Sequence, residues 1–265
     1  MTNTRGLTFD DFHIKKDILK GIYKKGFDRP SPVQEAVIPI ALAGKDVIYR
    51  AKNGTGKTAS YIIPLLEKID TTKPVIQALV LTPTRELSYQ ASKEIKEIGQ
   101  YMNVESIVLT GGEPPHETFL RLKKTVHVIV GTPLKILSMI ADIKFEKCEM
   151  LVMDEADKLL SQDFKSQVET LITYLPPSRQ ILLLSATFPQ TTQQFLKAHI
   201  PSCERINMME ELTLKGLSQF YVYLEEKFKV HCIHTLLSSV LPHNAPLNTC
   251  FLASDPEPRL REKPP

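Results

Sequence analysis

The stretch Ala51-Lys52-Asn53-Gly54-Thr55-Gly56-Lys57-Thr58 decides how the rest of this chain is read. A short apolar segment, Asp46 to Tyr49, precedes it, and a run carrying Tyr61, Ile62, Leu65 and Leu66 at helical spacing follows. The predicted arrangement is strand, loop, helix. Glycines in such a loop let backbone N–H groups approach a polyphosphate, and the helix behind presents the positive end of its dipole. Lys57 adds a point charge near the β- and γ-phosphates, and the Thr58 hydroxyl is placed to hold magnesium. Ala51 stands where the general phosphate-loop pattern has its first glycine, so this stretch alone leaves open a glycine-rich turn with no ligand.

A second stretch narrows the choice. Met150-Leu151-Val152-Met153 reads as a buried strand that delivers Asp154-Glu155-Ala156-Asp157 to its carboxyl end, where open α/β sheets bind ligands. A cluster of carboxylates there calls for a cation. Asp154 suits the magnesium side, and Glu155 suits acceptance of a proton from attacking water. The purely structural alternative is a solvated helix start, since first-turn acids also interact favourably with the dipole.

Taken together, these stretches resemble the DEAD-box family of ATP-dependent RNA helicases. The remaining motifs stand in that family's order: Gly26-Phe27 with Pro30, Pro32 and Gln34; Pro83-Thr84-Arg85-Glu86-Leu87; Gly111-Gly112; Thr132-Pro133; and Ser185-Ala186-Thr187. The resemblance covers roughly residues 7 to 240. Within the family, the phosphate loop, Lys158 to Phe164 and Met209 to Gly216 are most similar to the cytoplasmic P-body subgroup, which represses translation and promotes mRNA decapping.

The resemblance implies ATP and magnesium as cofactors, with Phe27 packing on the adenine, Gln34 reading its edge, and residues Ala51 to Thr58 holding the phosphates. It implies a catalytic set of Lys57, Asp154, Glu155, Asp157, Ser185 and Thr187, with Thr58 and Asp154 holding magnesium largely through water. Ser185 and Thr187 are expected to bond Asp157 and so couple nucleotide state to domain closure. A hydroxyl pair capping the helix near Pro189 is the structural alternative. The backbone of a single RNA strand is expected against Pro83, Thr84, Arg85, Gly111, Gly112, Thr132 and Pro133, without reading of base sequence. Leu134 and Lys135 depart from the family's glycine and arginine after Thr-Pro, and lysine lacks arginine's bidentate fork.

Alternation of strands and helices after the phosphate loop argues a parallel sheet with helices on both faces. Strands are predicted at Gln77 to Thr82, Ser106 to Thr110, His127 to Val130, Gln180 to Leu184 and Glu204 to Asn207, with helices at Lys15 to Lys25 and Phe164 to Tyr174. The predicted fold class is α/β, a P-loop NTPase sheet of RecA-like type followed by an incomplete second RecA-like lobe. The expected divisions are 1–35, an amino-terminal segment with the adenine-reading motif; 36–210, the ATP-binding lobe; 211–217, a linker; 218–240, the start of a second lobe; and 241–265, a proline-punctuated tail. The family's later motifs, including its arginine finger, find no match there, so this chain is expected to bind nucleotide yet be deficient in unwinding.

A length of 265 residues, 42% hydrophobic and 24% charged, is enough for a sizeable core. The net charge of +3 favours polyanions only mildly. No apolar run approaches the roughly 20 residues that span a bilayer, and the first residues lack a signal-peptide core, so a cytoplasmic protein is expected, without a membrane partner and as a monomer. Cys148, Cys203, Cys232 and Cys250 have no Cys-x-x-Cys spacing and read as reduced thiols. Partners implied by the resemblance are RNA and the proteins of mRNA repression and decapping. Two other readings stand beside the helicase: a regulatory paralogue that binds RNA or partners without turnover, and a P-loop kinase or transporter ATPase. The last accounts for neither Gln34 nor Ser185-Ala186-Thr187.

Overall fold

The structure is a computed structural model that describes residues 6–51, 54–185, 187, 190–208 and 225–240. The chain forms two compact units, Met1–Leu212 and Thr213–Pro265. The first unit opens with a 3-10 turn at Phe9–Phe12, then α1 Lys16–Lys24 and α2 Pro32–Leu42. Strand β1 Val47–Arg50 leads through the glycine loop into α3 Lys57–Lys68. Strand and helix then alternate: β2 Ala78–Leu81, α4 Arg85–Ile98, β3 Ser106–Leu109, α5 Pro115–Leu122, β4 Val128–Gly131, α6 Pro133–Ser138, β5 Met150–Met153, α7 Ala156–Leu159, α8 Lys165–Thr173, β6 Gln180–Ser185, α9 Gln190–His199 and β7 Glu204–Asn207. The predicted strands and helices lie within about a residue of these bounds, as expected for fraying ends.

The strands form one 7-stranded sheet in the order β3-β4-β2-β5-β6-β1-β7. All its pairings are parallel, with Val47 opposite Leu182 and Glu204, and Ala78 opposite Val128 and Met150. Parallel neighbours need crossovers, and the helices supply them while covering both faces. The two cores follow from the two-residue side-chain period of a strand. Val47, Tyr49, Ala78, Val80, Met150, Val152, Leu182 and Leu184 enter one core, with α1 to α4. Ile48, Leu79, Leu81, Leu151, Met153, Ile181 and Leu183 enter the other, with residues of α6 to α9.

Several helix starts are written locally. Pro32 occupies the first turn of α2, where its missing N–H costs nothing, and the Ser31 N–H donates to Gln34 Oε1 at 2.9 Å. The Thr84 hydroxyl accepts from Leu87 N–H at 3.3 Å and caps α4. Burial of Cys148 pushes its thiol up to about 12, so it is an inert core residue, and Cys203 and Cys232 are also free.

In the second unit the described elements are a 3-10 turn at Glu226–Phe228 and α10 Lys229–Val240, which contains the periodic run of Cys232, Ile233, Leu236, Leu237 and Val240. Residues 218–224 of the expected second-lobe start, the linker beyond Met208, the tail from Leu241, and Lys52, Asn53, Ala186 and Pro189 lie outside the described residues. Among the described residues no helix is long and apolar enough to cross a membrane.

Candidate functional site

Strands β1, β5 and β6 are neighbours in the sheet, and all run the same way, so the segments leaving their carboxyl ends converge. These segments are the glycine loop, the acidic turn and the Ser185 to Thr187 turn.

In the glycine loop Ala51 is buried and is not in the left-handed region, so its methyl group sits without strain where the general pattern has glycine. Gly56 is different. Its φ is 88°, and a Cβ there would lie 2.6 Å from Gln34 Nε2. Directly after it α3 begins, and Lys57 bends back so that Nζ donates to Ala51 O at 3.1 Å. Burial pushes the Lys57 pKa down, against the attraction of Asp154, Glu155 and Asp157. Thr58 follows in the first turn, half-buried. Beneath the loop, Tyr49 and Ser60 are buried; Ser60 Oγ donates to Tyr49 Oη at 2.8 Å, and Tyr49 Oη donates to the Lys57 carbonyl at 3.3 Å.

The acidic turn leaves β5 with Asp154 N–H donating to Leu81 O at 2.9 Å. Asp154 Oδ1 accepts the Glu155 N–H at 2.9 Å, and Oδ2 accepts the Tyr61 hydroxyl at 3.3 Å. Burial holds the Asp154 pKa above the usual carboxylate value, while Lys57 and the Tyr61 bond pull it down. Glu155 adopts a left-handed φ of 52°, a costly conformation for a residue with a side chain, and pairs with Lys158 at 2.7 Å. Asp157 meets the third segment: its N–H donates to Ser185 Oγ at 3.3 Å, and Thr187 Oγ1 donates to its Oδ2 at 2.6 Å. Ser185 Oγ in turn donates to the Thr187 carbonyl.

The donor set fits magnesium. Among the described residues no group of three or more His, Cys, Asp or Glu side chains is arranged to cage a metal. Magnesium prefers oxygen ligands, keeps several waters, and is held by one or two carboxylates plus substrate phosphates. Asp154 and the Thr58 hydroxyl beside the glycine loop match that demand.

Gln34 is the site residue whose surroundings differ most from expectation. It is buried at 5% exposure, its Oε1 accepts from Ser31 N–H, and its Nε2 donates to Gly56 O at 3.1 Å. The amide therefore ties the start of α2 to the glycine loop and has one N–H and one lone pair beyond these two bonds. Phe27 is half-buried against the core, with the Lys25 ammonium 5.7 Å from its ring centre.

The segments leaving the carboxyl ends of β2, β3 and β4 carry the residues expected to face RNA. Pro83 is buried, Thr84 caps α4, and exposed Arg85 reaches Gly111 O at 3.4 Å while stacking 5.4 Å from the Tyr89 ring centre. Gly111 and Gly112 form the exposed turn after β3. Thr132 precedes α6 and donates its N–H to Leu109 O at 3.1 Å; Pro133 is buried, and Leu134 is 65% exposed. From sequence, Tyr61 and Tyr49 carry no assigned role. Both read as apolar-face residues, and nothing local announces the partner of a hydroxyl.

With this geometry, the profile of the DEAD/DEAH box helicase family matches residues 31–195. The probable ATP-dependent RNA helicase ddx6 of Dictyostelium discoideum is 52% identical over 242 residues, covering 91% of this chain and 57% of that protein. ATP-dependent RNA helicase DHH1 of Saccharomyces cerevisiae is 47% identical over 242 residues, covering 90% of this chain and 47% of that protein. The chain spans about half the length of the curated relatives it matches. Among solved structures, a DEAD box protein from Methanococcus jannaschii is similar with a TM-score of 0.74 at 30% identity, covering 88% of this chain and 63% of that one. Dbp5 of S. cerevisiae bound to RNA and ADP BeF3 is similar with a TM-score of 0.71 at 29% identity, covering 76% of this chain and 52% of that one.

Proposed function

This chain belongs to the DEAD/DEAH box helicase family, and from that premise we propose that it binds ATP with magnesium and couples the nucleotide to remodelling of RNA. The observation that carries the proposal is the convergence of Lys57, Asp154 and the Asp157–Ser185–Thr187 bonds at neighbouring strand ends. Lys57 and the loop N–H groups bind the phosphates. Magnesium, when bound with the nucleotide, supplies neutralisation of the charge that develops on the transferred phosphoryl group. Thr58 and Asp154 would hold that ion, and Glu155 would accept the proton of an attacking water. Asp157, held by both Ser185 and Thr187, reports the state of the acidic turn to the segment after β6.

The RNA face is Pro83, Thr84, Arg85, Gly111, Gly112, Thr132 and Pro133, touching sugar and phosphate rather than base edges. The likeness of the glycine loop, Lys158 to Phe164 and Met209 to Gly216 to the cytoplasmic P-body subgroup supports a cytoplasmic role in mRNA repression and decay, with P-bodies as the location and decapping proteins as partners.

Equilibrium binding and steady-state hydrolysis, each with and without RNA, test the reading. ATP and ADP are expected to bind in preference to GTP. Lys57→Ala is expected to abolish nucleotide binding, and Glu155→Gln to preserve binding while removing hydrolysis. Equal loss of binding in Glu155→Gln and Asp154→Ala would contradict the division of roles. Nucleotide and RNA binding with no hydrolysis in the unsubstituted chain would favour a regulatory binding protein instead.

A further inference from the structure

Resting on the reading of Asp154 as the magnesium-side carboxylate, we propose that Tyr61 is a positioning residue for that carboxylate, its phenol hydroxyl fixing the plane in which Asp154 meets the hydrated cation. Tyr61 is fully buried in α3, the helix that starts at the glycine loop. Lys57 and Tyr61 are four residues apart and share one face of α3, so a single helix face presents the ammonium and, one turn later, the phenol. The Tyr61 hydroxyl donates to Asp154 Oδ2 at 3.3 Å, and the backbone of Glu155 donates to Oδ1 at 2.9 Å. An ionised carboxylate offers about four acceptor positions, so these two donors hold it by both oxygens and leave capacity on each for metal-bound water. Groups that bond a metal's ligands in this way set the ligand's orientation and tune metal affinity. Phenylalanine would fill the same apolar space, which makes the hydroxyl separable from the packing. It also links the glycine-loop helix to the acidic turn without passing through a ligand.

The test measures affinity for ADP carrying a fluorescent ribose label, in saturating Mg²⁺ and in EDTA, and reads the ratio of the two. Tyr61→Phe is expected to lower that ratio roughly tenfold, the low end of what loss of such a partner costs in metal affinity. Tyr49→Phe removes another buried phenol oxygen, one bonded to Ser60 and the Lys57 carbonyl rather than to Asp154, and is expected to leave the ratio unchanged. Asp154→Asn is expected to collapse it. A Tyr61→Phe ratio within about threefold of the unsubstituted protein, alongside collapse in Asp154→Asn, would overturn the positioning role and leave the site reading standing. An intact ratio in Asp154→Asn would overturn the site reading itself. Equal losses in Tyr61→Phe and Tyr49→Phe would mean general loosening of the core and would also overturn the positioning role.

Discussion

Gly21 sits where α1 crosses α4, and a Cβ there would lie 1.9 Å from the Ile98 carbonyl oxygen. Alanine improves a helix interior by about 1 kcal/mol over glycine, whereas forcing a methyl group into a backbone contact costs about 1–3 kcal/mol, so the clash outweighs the propensity. Gly21→Ala is expected to lower the thermal midpoint by several degrees; an unchanged or higher midpoint would mean that α1 slides away from α4 without cost. At Gln34 two roles of one amide are separable, because Oε1 serves Ser31 N–H and Nε2 serves the Gly56 carbonyl. Gln34→Ala loses both, with a capping cost of about 1 kcal/mol. Gln34→Glu keeps the acceptor but removes the donor. Both variants are expected to weaken ADP binding, and only Gln34→Ala to lower stability through α2. Full ADP affinity in Gln34→Glu would show that the bond to Gly56 contributes nothing to loop shape.

Gln180 begins β6 and joins elements that sequence places far apart. Its Nε2 donates to Ala41 O at 2.8 Å and to Lys45 O at 2.7 Å, tying the end of α2 and the approach to β1 onto the neighbouring strand. Gln180→Leu preserves bulk but takes the amide donor from the Lys45 carbonyl, while Ala41 O keeps the Gly44 N–H at 3.0 Å; at about 1–3 kcal/mol this is a fall of several degrees in thermal midpoint for a unit of this size. A shift under a degree would mean that water replaces the amide. His127, at the entry to β4, is held neutral by burial, which keeps its pKa below the usual histidine value, and its Nδ1 accepts the Glu105 N–H at 2.9 Å. The unfolded chain therefore takes up the proton first as pH falls. The stabilising contribution is complete above the unfolded pKa of about 6.5 and is lost as pH falls from there through the folded pKa. His127→Gln, which keeps an acceptor without titrating, is expected to lose less stability than the unsubstituted protein between about pH 7 and pH 5 in denaturant titrations. Identical pH dependence of the two would remove His127 from that balance.

At the scale of the whole molecule, the proposed RNA face at Arg85 and the Gly111-Gly112 turn would meet a strand through its phosphates, so affinity is expected to be salt-sensitive and indifferent to base sequence. Arg85→Ala is expected to weaken all RNA sequences alike and to reduce the salt slope by about 0.7, the value for one phosphate contact on a single strand; a loss confined to particular sequences would contradict backbone recognition. The positions of the glycine loop, the acidic turn and the segment from Ser185 to Thr187 at strand ends are legible in the chain because each is local chemistry: glycines with a lysine, a carboxylate cluster after an apolar run, hydroxyls at a strand end. The alternation of strands and helices was legible for the same reason, since two-residue and 3.6-residue periods belong to the backbone. Strand order was not, because β1 lies between β6 and β7 through contacts that no local pattern encodes. Nor was the use of Gln34 as a strut to Gly56, of Gln180 as a tie between α2 and β6, or of Tyr61 as a donor to Asp154. A sequence determines which side chains carry hydrogen-bonding groups and which face of an element they occupy. Only packing decides which distant acceptor a buried donor meets, because burial removes water as a partner and leaves the nearest element to supply one.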